Sequence, residues 1–73
     1  MTDLEEIKRE YFDKMQELLR ANPEALQHFE ALWAAGKFRE AYVFVSNYID
    51  KYKLFRSPEN KLADENFFWG FMY

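Results

Sequence analysis

Nucleophilic catalysis needs a hydroxyl or thiol, a base within hydrogen-bond reach of it, and a third group that orients the base. The chain holds one histidine, His28, and two serines, Ser46 and Ser57, and neither serine stands at a spacing that would bring it to His28 through a single helix or turn. His28 follows Glu24 by four residues, the spacing of an ordinary helix-surface pair. Ser57 precedes Pro58, which reads as a helix cap rather than a nucleophile. Phosphate-cradling loops are rich in glycine, and Gly36 and Gly70 stand alone. There is no cysteine, so a disulfide staple is excluded and a zinc or iron–sulfur site has almost no ligands to draw on. Carboxylates are the one remaining ligand type. Glu6, Glu10, Asp13 and Glu17 recur at helical spacing, as carboxylates do in bundle metal sites, but no Glu-x-x-His pattern completes such a set. The expectation is a chain with no catalytic residue, no metal and no cofactor, and so not an enzyme.

Binding chemistry is better supplied. Asp3, Glu6, Glu10, Asp13 and Glu17 would form a negative ridge along one helix, the raw material for imitating a phosphate backbone and occupying the cleft of a DNA-binding protein. Further on, Tyr48 and Tyr52 are interleaved with Lys51, Lys53 and Arg56, as in a weak single-strand platform. Residues 1–36 carry eight acids and four bases, and residues 37–73 five acids and six bases, for an overall net charge of −3. That balance does not favour direct nucleic-acid binding, and lysine in the last turn of a helix is already explained by the helix dipole. The aromatic residues say more. They make up 21% of the chain, and six of the last seven residues, from Phe67 to Tyr73, are apolar. Trp, Tyr and Phe are the usual anchors of protein interfaces. Trp69, Phe71 and Tyr73 in the tail, with Phe44, Tyr48, Tyr52, Leu54 and Phe55 in the preceding segment, are the candidate protein-binding residues.

The elements that must position these side chains read as all-α. No run alternates apolar and polar residues at period two over strand length. Thr2 and Glu5 have the spacing of a capping box, which predicts a first helix over about 3–20. Its apolar stripe is Leu4, Ile7, Tyr11, Met15, Leu18 and Leu19, with Glu10 and Lys14 paired on the far side. Asn22 and Pro23 open a second helix over about 23–35 that buries Ala25 or Leu26, Phe29, Leu32 and Trp33, and Gly36 closes it. A third helix over about 37–55 carries Phe38, Ala41, Tyr42, Val45, Tyr48 or Ile49, and Tyr52 on its main stripe. Val43, Phe44 and Phe55 fall off that stripe, so this helix is apolar on more than one side. Ser57 and Pro58 start a short helix to Ala63, and Asp64 is positioned to cap one more turn through Trp69. Gly70 is expected to break the helix and turn its neighbours outward, leaving Leu62 and Phe68 in the core. The fold expected is a small helical bundle of three main helices and a short helical aromatic C-terminal segment, forming one domain over 1–73.

Leu32-Trp-Ala-Ala-Gly-Lys-Phe-Arg-Glu-Ala-Tyr42 resembles the turn of a tetratricopeptide repeat, with Gly36, Phe38 and Ala41 at the family's spacing. The resemblance covers Asn22 to Tyr52 and implies an antiparallel helical hairpin; it assigns no peptide binding. Lys51-Tyr-Lys-Leu-Phe55 loosely resembles the sliding-clamp-binding pentapeptide of bacterial replication proteins through Leu54 and Phe55. No apolar stretch is long enough to span a membrane, and the acidic Met1 to Glu10 segment does not read as a signal peptide. A reducing cytoplasm is the simplest address. A chain of 73 residues hides only about 60% of the surface it exposes when unfolded, which points to a homodimer or an obligate complex with another protein. The sequence reads as a small inhibitor or adaptor, of the kind that phages and mobile elements encode. The different-class alternative is a nucleic-acid-related role, through acidic mimicry or the weakly basic third helix.

Overall fold

The computed structural model describes residues 3–72, and of Met72 the backbone alone. Its secondary structure is helical throughout: α1 (Leu4–Leu19), α2 (Pro23–Ala34), α3 (Phe38–Tyr52) and α4 (Pro58–Phe67), the last continuing into a π-helical turn, Phe68–Met72. The all-α helical bundle expected from the sequence is therefore observed. Contacts divide it into two units, one made of the chain up to Leu18 together with the chain from Arg56 onward, the other of residues 19–55.

In the first unit, α1 is capped by Asp3, whose Oδ1 accepts the Glu5 N–H at 3.1 Å while its carbonyl accepts the Ile7 N–H at 3.0 Å. Thr2, the cap expected from sequence, lies outside the described residues. The buried stripe of α1 is Ile7, Tyr11, Met15 and Leu19, one residue every four. Leu18 is half-buried, and Leu4 is exposed rather than buried, because a first-turn residue has no preceding helical turn to share its cover.

α4 starts as the sequence implies, with Ser57 Oγ accepting the Asn60 N–H at 3.2 Å and Pro58 in the first turn. It then departs from expectation in three ways. Asp64 caps nothing. It is buried within the helix, where its Oδ2 accepts from Arg56 Nη1 at 3.2 Å. Leu62 is exposed, and Phe67, not Phe68, is the fully buried residue. Nor does Gly70 break the helix, since it sits inside the π turn, where a Cβ would meet Leu4 Cδ2 at 3.5 Å and Ile7 Cδ1 at 3.7 Å. These differences share one cause: α4 lies antiparallel to α1, and that register, not local propensity, decides which residues face inward. It is marked by Lys14 to Glu59 at 3.4 Å, by the Tyr11 and Phe67 rings stacked at 4.2 Å, and by Gly70 against Leu4 and Ile7. Lys14 thus pairs with Glu59 rather than with Glu10 as the helical spacing suggested.

In the second unit, Asn22 Oδ1 accepts the Ala25 N–H at 3.3 Å to start α2. Gly36, at φ +77°, ends it. The Gly36 N–H donates to the Trp33 carbonyl at 3.0 Å and the Lys37 N–H to the Leu32 carbonyl at 2.9 Å, the paired bonds of a Schellman cap. The chain reverses there and α3 packs antiparallel to α2, with the Trp33 and Phe38 rings edge to face at 4.8 Å next to the turn. Ala25, Phe29, Ala41, Val45 and Ile49 are buried. Of the open choices on the two stripes, Ala25 rather than Leu26 and Ile49 rather than Tyr48 are the buried ones, and Tyr52 is exposed. α3 stops at Tyr52, three residues short of the expected Phe55, because Lys53 adopts the left-handed conformation (φ 50°, ψ 48°). There the N–H groups of Lys53 and Leu54 both donate to the Ile49 carbonyl.

Candidate protein-binding surface

The antiparallel hairpin of α2 and α3 leaves a groove of about 360 Å³ on one side. Its floor comes from three residues four apart on α3, Phe44, Tyr48 and Tyr52, whose rings follow one another at 6.4 and 4.8 Å. Four-residue spacing places them along one helical row, beside the Ala41, Val45 and Ile49 row that packs inward. From α2 the groove takes Ala25 and His28, and the His28 ring meets Phe44 edge to face at 4.6 Å. That contact, and not an ion pair with Glu24, is what the structure gives His28. At the end where α2 begins and α3 finishes, the lining turns polar, with Asn22, Glu24, Asn47 and Lys51. Lys51 Nζ lies 5.3 Å from the centroid of the Tyr52 ring, a cation–π contact. Among the described residues neither Glu24 nor Lys51 belongs to an ion pair, unlike Lys8 with Glu5, Lys14 with Glu59, Lys37 with Glu40 and Arg56 with Asp64.

Of the eight candidate binding residues from the sequence, the groove unites Phe44, Tyr48 and Tyr52. Leu54 is half-buried behind the end of α3, and Phe55, directly after it, is 82% exposed. Trp69 and Phe71 belong to the other unit. Trp69 is 61% exposed with its ring edge to face on Phe68 at 5.6 Å, whereas Phe71 is half-buried and stacked on Phe67 at 4.8 Å. Tyr73 lies outside the described residues. The acidic row of α1, Asp3, Glu6, Glu10, Asp13 and Glu17, is exposed along its whole length. Among the described residues Glu6, Glu10, Asp13 and Glu17 take part in no ion pair, while Asp3 is occupied as the cap.

Sequence reasoning did not join His28, Glu24, Asn22 and Asn47 to the aromatic row. The signal was present in the numbering, since His28 and Phe44 each stand eight residues from Gly36, the point of reversal. Burial pushes the Asp64 carboxyl above its ordinary range, Arg56 pulls it back, and Glu65 adds to the rise. Among the described residues no three histidine, aspartate or glutamate side chains come together to hold a metal ion, and no helix is long and apolar enough to cross a membrane.

Compared with known protein families, with curated proteins and with solved structures, the chain matches none.

Proposed function

We propose that this chain is a non-catalytic protein-binding module, an inhibitor or adaptor that engages another protein through its aromatic surface and works as a homodimer or in a complex with its target. One observation carries the reading. Phe55, Trp69 and Tyr52 are 82%, 61% and 52% exposed, on a chain that buries Tyr11, Phe29 and Phe67 completely. Exposed aromatic rings cost solubility unless something covers them, and Trp and Tyr are the residues that most often carry binding energy when covered. The test compares wild type with Phe55→Ala and Trp69→Ala in sedimentation equilibrium and in capture of partners from a lysate. Each substitution should reduce self-association or capture without loss of helicity. If both variants associate and capture as wild type does, the aromatic surface is not the binding surface.

A second reading is favoured by the exposed, unpaired row Glu6, Glu10, Asp13 and Glu17, which suits a target that normally holds a phosphate backbone. Salt separates the two. Binding carried by aromatic burial should change little between low and moderate ionic strength, whereas acidic mimicry should weaken steeply and should be weakened further by Glu6→Gln with Glu10→Gln.

A further inference from the structure

We propose that the groove between α2 and α3 receives a single amphipathic helix of another protein, one that presents large apolar side chains four residues apart and, at one end of that row, a carboxylate to Lys51 and a cation to Glu24. This rests on the protein-binding reading and adds the site and the chemistry of the partner.

The period of the groove is the first argument. Phe44, Tyr48 and Tyr52 advance along α3 by four residues each, so the floor is about 12 Å long at a rise of about 1.5 Å per residue. A helix laid along it offers side chains at the same repeat, which is the geometry of helix-in-groove recognition. His28 closes the far end with its edge on Phe44, and the volume of about 360 Å³ accommodates side chains rather than a folded domain.

Charge supplies the second argument. Glu24 and Lys51 stand at the same end of the groove, are exposed, and have no ion-pair partner among the described residues. One acid and one base on the rim leave it close to neutral. A nucleic-acid strand would need several cations along its phosphates and would meet the Glu24 carboxylate as a repulsion. A helix with charges of both signs beside its apolar row answers both rim charges at once. Rim charges of this kind contribute mainly to the choice and register of the partner, and the apolar row contributes most of the affinity.

The experiment pans a displayed library of helical peptides of about 15 residues against the full chain, the length at which an isolated helix begins to hold. Selected peptides are then titrated against wild type, Tyr48→Ala and Lys51→Glu, with circular dichroism to confirm that both variants are folded and with amide chemical shifts to locate the bound peptide. The proposal expects enrichment of apolar pairs four apart next to an acid, shifts confined to residues 22–28 and 44–52, a loss of about tenfold or more in Tyr48→Ala, and a switch from acid to base at the facing position in Lys51→Glu. Peptides that bind but shift only residues around Phe55 or Trp69 would overturn the groove assignment while leaving the protein-binding reading in place. Peptides that bind in the groove with no response to Lys51→Glu would overturn the charge assignment. A failure to enrich any peptide, or tighter occupation of the groove by oligothymidylate, would overturn the proposal as a whole.

Discussion

Replacing each of the two glycines by alanine should move stability in opposite directions. Gly36 holds φ +77°, where an L side chain is strained whatever space surrounds it. Left-handed backbone costs a residue other than glycine about 1–2 kcal/mol, so Gly36→Ala should destabilise by about that amount. Nothing lies within 4 Å of the Cβ it would add, and no packing gain offsets the strain. Gly70 is the reverse case. It sits in the helical run after α4, where alanine is favoured over glycine by about 0.5–1 kcal/mol because the unfolded chain loses less freedom. The new methyl would touch Leu4 Cδ2 at 3.5 Å and Ile7 Cδ1 at 3.7 Å, both ordinary van der Waals contacts, so it adds cover to α1 without a clash.

Gly70→Ala should therefore raise stability by about 1 kcal/mol. A domain of this size shifts its melting temperature by about 4–8 °C for each kcal/mol, so the two variants, about 2–3 kcal/mol apart, should separate by about 8–24 °C in a thermal melt followed by circular dichroism. A glycine that breaks the helix and turns the tail outward would give a different pattern, in which Gly70→Ala disturbs the tail and lowers the melting temperature. A fall in Gly70→Ala comparable with that in Gly36→Ala would refute both the π turn and the packing of Gly70 on α1.

Three further outcomes follow from the packing. Phe67→Ala empties a fully buried site between the Tyr11 and Phe71 rings and should cost about 3–5 kcal/mol, much of the total stability of a domain this small, while Trp69→Ala should stay within about 1 kcal/mol; urea titration of both tests the division of the tail into core and surface. Because burial raises the Asp64 carboxyl in the folded state, its contribution is fully present below the unfolded value and is lost as pH rises through the folded one; Asp64→Asn should therefore gain on wild type in melting temperature as pH rises from about 4 to about 7, and a difference that is flat or shrinks with pH would contradict the assignment. Lys53→Gly relieves a left-handed lysine and should raise stability by about 0.5–1 kcal/mol in the same melts, with helicity unchanged.

Where the sequence was legible, the signal was local. Asn22 with Pro23, Ser57 with Pro58, and Gly36 each act through bonds to residues within a few positions, and all three take the roles that their types imply. Period alone also picked out Ile7, Tyr11, Met15, Val45 and Phe29, because each has helical neighbours at three or four residues that fix the phase of the stripe. The errors lie where phase was set from a distance. α4 is too short, and its apolar residues too few, to show whether Leu62 or Phe67 faces inward; the answer comes from Tyr11, more than fifty residues earlier in the chain. Asp64 looked like a cap because an aspartate before an apolar run usually is one, and only the approach of Arg56 makes its burial tolerable. Gly70 looked like punctuation, but it continues the helical run as part of the π turn facing Leu4 and Ile7 of α1, with room there for a Cβ. Lys53 gave no signal at all, since lysine has no preference for left-handed backbone.

The same division explains the candidate surface. Phe44, Tyr48 and Tyr52 were named from the sequence as candidate binding residues, with Phe44 placed off the stripe that carried Tyr52; in α3 their four-residue spacing makes them one row. Turning that row into a groove required α2, and the register of α2 against α3 is set at Gly36. Residues at matched distances from that glycine face each other, as His28 and Phe44 do, and the polar end near Glu24 and Lys51 is then fixed by the two helices being antiparallel. Phe55 is exposed for a separate reason. The left-handed turn at Lys53 ends the helix two residues before it, so Phe55 leaves the α3 row and cannot share in the groove by continuing the same period. Binding by Phe55 and binding by the groove are thus structurally independent, and a partner that needs both must contact the hairpin beyond the end of α3.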